Sequence, residues 1–185
     1  PHFLLRRQRQ MCIRDSLDND GYDEVFLNNI GEPNKLFKIL DDGLLQQIPI
    51  DVGLEPDGYG TGAAVADIDN DGILELLVSH GESVDQPLSL YKAKVNPNNK
   101  YIRIKPLNKH GAPARGATVT LISNLRKHSK TIDSGSGYLC QMEPVAHYGI
   151  RKNEENIKIQ IKWTNGKVKT VSINELNQTI TLKQE

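Results

Sequence analysis

Asp67, Asp69 and Asp71 stand at alternate positions, Gly72 follows the third, and Glu75 comes four residues after it. Asp and Asn accept tight local turns, and glycine reaches the dihedrals that let a chain curl around a central point. Curled in that way, the first, third and fifth side chains converge and the carbonyl of Ile73 turns inward. Glu75 then closes the ring from the strand that follows. Such an all-oxygen set suits a hard divalent cation, and Ca2+ takes six to eight oxygen ligands. Four carboxylates in one loop repel one another strongly, so their burial requires something to neutralise them. A second copy lies 51 residues earlier, where residues 16–24 align with residues 67–75. It offers Asp18, Asp20, the carbonyl of Tyr22, and Glu24, but Ser16 replaces the first carboxylate, so weaker binding is expected.

An EF-hand opens in the same way, but it needs a bidentate Glu at loop position twelve and a helix on each side. Position twelve is Val78 here and Leu27 in the first copy, and both flanks read as strands. The EF-hand reading fails. The bland alternative is an ordinary solvated Asp/Asn/Gly turn. Spacing, glycine and apolar flanks together favour metal at residues 67–75.

Each loop runs into apolar residues, Val25-Phe26-Leu27 and Leu76-Leu77-Val78, and then through a polar turn to a further short strand at 35–40 and 89–93. A period near 50 built from short strands fits blades of a β-propeller better than a helical solenoid. The stretch 53–62 is rich in Gly, Pro and Asp and reads as a loop. Residues 62–66 form a small-residue strand of the kind needed where blades crowd together. At Asn96-Pro97-Asn98-Asn99 the texture changes, and this turn cluster divides the chain. Beyond it, strands are expected at 101–104, 117–122 and 157–163. In the last of these, Ile157, Ile159, Ile161 and Trp163 alternate with Lys158, Gln160 and Lys162, which marks a half-buried antiparallel strand. Asn165-Gly166 predicts a type I′ hairpin, with 168–173 returning as its partner and 179–182 closing the chain. A single helical turn is allowed near 174–176. The fold class expected is all-β, with partial propeller blades at 17–95 followed by a small antiparallel β-sandwich at 97–185.

The 185 residues carry 23 basic and 23 acidic side chains, so no net charge draws the chain toward nucleic acid or an acidic membrane. No apolar run is long enough to insert into a membrane as a helix. Two cysteines, Cys12 and Cys140, give no disulfide framework or zinc spacing and leave the compartment open. At the N-terminus a basic cluster follows a short apolar one, the reverse of a signal peptide. Residues 1–16 read as a foreign or disordered segment and are set outside the expected fold.

No catalytic constellation is legible. His80, His110, His128 and His147 are scattered, each best read as a surface or structural residue, with His147 packed in the sandwich. Residues 134–138 lack the spacing of a nucleophile elbow. The basic run 126–130 has no interleaved aromatics and reads as a solvated hairpin tip. Cys140 reads as a small buried hydrophobe.

With its strand flanks, the Asp loop resembles the FG-GAP/VCBS repeats of integrin-like propellers. Residues 114–119, 134–141, 145–150, 163–167 and 177–179 then follow in the order of an ASPIC/UnbV domain, as in the cartilage acidic protein family and its bacterial relatives. Glu24 and Glu75 stand where that family usually has Asp. The resemblance implies Ca2+ as cofactor and an extracellular or periplasmic setting. It also implies a protein or glycan ligand at an extracellular surface, and further propeller blades as partners, because this chain holds barely two. The function it suggests is non-enzymatic recognition or adhesion. The alternatives are an accessory domain of a secreted enzyme or secondary-metabolite assembly, or a carbohydrate-binding module. The last expects Trp163 and Tyr138 exposed side by side.

Overall fold

In a computed structural model, residues 11–29, 33–49, 60–80, 85, 87–133, 135 and 140–185 are described. Every regular element among them is a strand. The first half holds two sheets of matching design. In one, β1 (Met11–Asp15), β2 (Glu24–Asn28), β3 (Lys35–Ile39) and β4 (Leu45–Ile48) lie side by side in chain order. The other runs β5 (Gly60–Ala66), β6 (Glu75–His80), β7 (Ser89–Lys92), again in chain order. Each Asp-rich loop therefore joins the first and second strands of its sheet. The register that brackets the loops is shared, with Asp15 opposite Glu24 and Ala66 opposite Glu75.

The small residues of β5 have a clear reason. A Cβ on Gly60 would fall 2.1 Å from Asn28 Oδ1. Asn28, fully buried, donates through Nδ2 to the Gly62 carbonyl at 3.0 Å. The two sheets thus touch through backbone and amide, and share a core of Ile13, Phe26, Ala63, Val65, Leu74, Leu76 and Val78.

The second half is a two-sheet sandwich. Strands β8 (Lys100–Leu107), β11 (Ala146–Ile150) and β14 (Gln178–Lys183) make one sheet, in the order β11-β8-β14. The other is β10 (Lys127–Thr131), β9 (Thr118–Ile122), β12 (Lys158–Lys162) and β13 (Val168–Ser172). Between them lies a core that includes Ile102, Ile104, Val119, Leu121, Tyr148, Ile159, Ile161 and Trp163. As the alternation in 157–163 requires, Ile159 and Ile161 are fully buried while Lys158 and Lys162 are exposed.

Five expectations need correction. Met11–Asp15, set aside with residues 1–16, is a strand paired along its length with β2, and Ile13 is buried in the shared core. The sandwich is not wholly antiparallel, since β14 runs parallel to β8. The Asn165-Gly166 hairpin is not type I′. Only Gly166 takes a positive φ there, +85°, its N–H donates to the Trp163 carbonyl at 2.9 Å, and Trp163 N–H donates to Lys167 O at 2.9 Å. That is a type I turn closed by a glycine bulge. No helical turn forms at 174–176. Finally, β5 begins at Gly60, inside the stretch read as loop.

Candidate metal centre

The two loops have the same backbone. Asn19 and Asn70 both take φ of 60°, while Gly21 and Gly72 take 89° and 82°. Three internal hydrogen bonds repeat at equivalent positions. Asp18 Oδ1 accepts from Asp20 N–H at 3.0 Å, and Asp69 Oδ1 from Asp71 N–H at 3.2 Å. Asp20 Oδ1 accepts from Tyr22 N–H at 2.9 Å, and Asp71 Oδ1 from Ile73 N–H at 2.8 Å. The closing glutamates accept from the second loop residue, Leu17 and Ile68, both at 2.8 Å. Short Asx turns stacked in this way leave the other carboxylate oxygens facing one centre.

Carboxylate oxygens of Asp67, Asp69 and Asp71 lie within 4.8 Å of one another, as do those of Asp18, Asp20 and Glu24. Glu75 reaches the second cluster from β6. Its Oε1 and the Oδ2 atoms of Asp69 and Asp71 lie 2.6, 2.7 and 2.7 Å from the Lys92 ammonium. In the first cluster the Lys38 ammonium plays the same part, contacting Asp20 closely and lying 3.3 Å from Asp18 and 3.7 Å from Glu24. Neither lysine stood out in the sequence.

The residues present fit a divalent ion. Asp67 Oδ1 and Glu24 Oε1 are buried acceptors without a hydrogen bond among the described residues, in side chains each only 2% exposed. A buried carboxylate oxygen left in that state is costly unless a cation or a proton meets it. Asp67, Asp69, Asp71 and Glu75 would hold the ion in one loop, with the Ile73 carbonyl. Asp18, Asp20, Glu24 and the Tyr22 carbonyl would hold it in the other, where Ser16 supplies only a buried hydroxyl without a hydrogen bond.

Burial, and then the charge of Asp18, push the Glu24 carboxyl up to about 8. A carboxyl raised in this way is held protonated by the fold. Its stabilising contribution is whole below the unfolded value and is lost as pH rises toward 8. His147 works in the opposite sense, because burial holds its imidazole well below the usual value and stability falls as the unfolded chain protonates below pH 6.5. Between pH 6.5 and 8, therefore, the chelated protein is expected to lose roughly 1–2 kcal/mol. Glu24→Gln should flatten that slope. Denaturant unfolding in chelator across this range checks it, and an equal slope in the variant would refute the assignment.

The sandwich grips both loops, which the sequence did not reveal. Arg103 on β8, 3% exposed, pairs with Asp67 Oδ2 at 2.8 Å and contacts Glu143. His147 Nε2 lies 2.6 Å from Asn19 Oδ1, and Asn19 Nδ2 donates to the Gly72 carbonyl at 2.8 Å, so one buried chain of polar contacts joins both loops to the sandwich. Tyr101 stacks on His147, with ring centroids 5.8 Å apart. His147 is thus buried as expected, but at the junction with the first loop.

The basic run 126–130 is not a solvated tip. Arg126 donates to the carbonyls of Gly21 and, at 2.6 Å, Gly149. Lys130 lies 2.5 Å from Asp15 and 3.3 Å from Asp23, and His128 lies 3.2 Å from Asp23. Burial would raise Asp23, but the hydrogen bond to His128 and the charge of Lys130 carry it far below the usual carboxylate range. Cys140 is half-buried rather than fully buried, and burial raises its thiol. Trp163 is buried and donates to Leu107 O at 3.0 Å. This undermines a carbohydrate platform there, while Tyr138 lies outside the described residues.

The FG-GAP-like repeat family matches residues 17–78, and the ASPIC and UnbV family matches residues 107–185. Cartilage acidic protein 1 of Homo sapiens is 39% identical over 97% of this chain, and that of Xenopus tropicalis is 44% identical over 94%. The chain spans 29% and 28% of those relatives' lengths. Among solved structures, the Bacillus anthracis TIE protein aligns with 96% of this chain and 40% of its own, at 12% identity and a TM-score of 0.30, too loose a match to inform the fold. An FG-GAP-like repeat region followed by an ASPIC and UnbV region, with 39–44% identity along nearly its whole length, makes this chain similar to a part of cartilage acidic protein 1.

Proposed function

We propose that the two Asp-rich loops are calcium sites, and that the chain is a non-catalytic extracellular recognition or adhesion module whose blade rims the metal stiffens. The observation that carries this reading is the repeated loop. The same backbone, the same three hydrogen bonds and a converging set of carboxylates occur twice, with buried acceptors at Asp67 and Glu24 that lack a donor. Affinity on the order of 10⁻⁴–10⁻³ M would suit ions taken up from a calcium-rich medium. The name of the relatives supports an extracellular setting, with a periplasmic one as the bacterial equivalent.

The partners proposed are a protein or glycan at that surface, and further blades. Leu77 and Leu90 face each other across β6 and β7 and are 38% and 56% exposed, with Leu88 alongside at 65%. An apolar patch on the face turned away from the first sheet is what a neighbouring blade would cover. Calorimetric titration of calcium into the chelated chain tests the metal reading, with Asp69→Ala/Asp71→Ala as control.

A further inference from the structure

We propose that Lys38 and Lys92 are resident counter-ions of the two loops, holding the carboxylates together without metal and giving way when a divalent ion enters. The inference rests on the calcium reading above and extends it to residues outside the loops. Its first support is register. Lys38 lies directly across from Glu24, and Lys92 directly across from Glu75. The connections that lead to them differ in length, since 14 positions separate the first pair and 17 the second. Two hairpins of unequal length nevertheless return a lysine to the residue that closes each loop. Directly opposed residues have Cβ atoms about 5 Å apart, well within reach of a lysine stem.

The second support is contact. Lys92 lies within 2.7 Å of three carboxylates, and Lys38 meets all three of its own cluster within 3.7 Å. In the second cluster Lys92 and Arg103 offset two of four negative charges, and in the first, with Glu24 protonated, Lys38 offsets one of two, so each cluster keeps an excess that a divalent ion would meet better. Asp67 Oδ1, buried and lacking a hydrogen bond, is an oxygen the Lys92 ammonium leaves unserved, while Glu24 Oε1 has the Lys38 ammonium no nearer than 3.7 Å, beyond a hydrogen bond. The clusters also differ in access. Asp69 and Asp71 are 57% and 43% exposed, while Asp18 and Asp20 are 33% and 28%. Lys92 can therefore swing into water more easily than Lys38, and the second loop should exchange its ammonium for metal first.

The experiment titrates calcium chloride by calorimetry into the chelated 185-residue chain, with Lys92→Met, Lys38→Met and the exposed-turn control Lys109→Met. Melting in chelator is recorded in parallel. Removing a unit charge a few ångströms from the ion should tighten the affected site by at least about tenfold, and Lys92→Met and Lys38→Met, unlike Lys109→Met, should melt lower in chelator. Calcium binding to Lys92→Met where wild type takes up none would also support the exchange while overturning calcium as the natural ligand. Wild-type binding with both Lys→Met affinities within twofold of it would overturn the exchange and leave the calcium reading standing. No calcium uptake by any variant would overturn both. Should Lys92→Met fold only with calcium, the calcium midpoint of folding reports the same dependence, and Lys92→Gln provides a smaller perturbation on which the same criteria apply.

Discussion

Arg103→Leu is expected to lower the unfolding free energy by about 3–5 kcal/mol, the loss typical when one member of a buried ion pair is removed. Arg103 and Asp67 have side chains only 3% and 2% exposed and meet at 2.8 Å. Leucine would leave the Asp67 carboxylate in the interior with only the Gly72 N–H, at 3.0 Å, on that oxygen. The loss is a desolvation effect, so it should shrink in the double variant with Asp67→Asn, which carries no charge to strand. It should also shrink in calcium, where an ion would take the place of the guanidinium. Arg103→Lys should recover little, because a point charge cannot serve Asp67 and Glu143 together as the fork does. Chemical denaturation of the four proteins with and without calcium gives the answer. A single-variant loss below about 1 kcal/mol would show that the pair does not hold the sandwich to the second loop.

Gly149→Ala is the second large effect. A Cβ on Gly149 would lie 2.6 Å from Ser16 Oγ and 2.7 and 2.8 Å from the C and Cα atoms of Asn19. The hydroxyl could turn away, but the Asn19 backbone is fixed by its own positive φ and by its bonds to His147 and Gly72. One methyl group therefore forces β11 away from the first loop. The expected cost is about 3 kcal/mol, the upper range for overpacking. Melting should broaden or split as the first sheet parts from the sandwich. Ser16→Gly relieves the contact with the hydroxyl but not the backbone, so it should not rescue. Rescue by Ser16→Gly, or a loss under about 0.5 kcal/mol, would mean the loop gives way freely.

What could be read from the residues follows the range of the interactions. The Asp loops were legible because their geometry is local, with hydrogen bonds two to seven positions apart and glycine where φ is positive. Strand β12 was legible because its alternation is written in consecutive residues. The grip on the loops was not, since its partners lie far apart in sequence. His147 reaches Asn19 across 128 positions and Lys130 reaches Asp15 across 115. A basic run with no aromatics looks solvated when its acidic partners sit in another half of the chain. Its one local signal was alternation, in which His128 and Lys130 point inward and Lys127, Ser129 and Thr131 outward.

The parallel pairing of β14 with β8 escaped for a similar reason, because a strand's direction is set by the path back across the sandwich. The Asn165-Gly166 dipeptide alone favours a type I′ turn, but its surroundings decide otherwise. With Trp163 buried and hydrogen-bonded on the entry side, the glycine bulge keeps Val168 in register with Lys162.

Calorimetric titration of calcium into the chelated chain, beside Asp69→Ala/Asp71→Ala, tests the central claim most directly. Two binding events are expected in the wild type, the tighter at residues 67–75, where Asp67 adds a carboxylate that Ser16 does not. The double variant should keep only the weaker one. Saturable heat that is the same in both proteins, or none in either, would contradict the assignment of the loops as calcium sites.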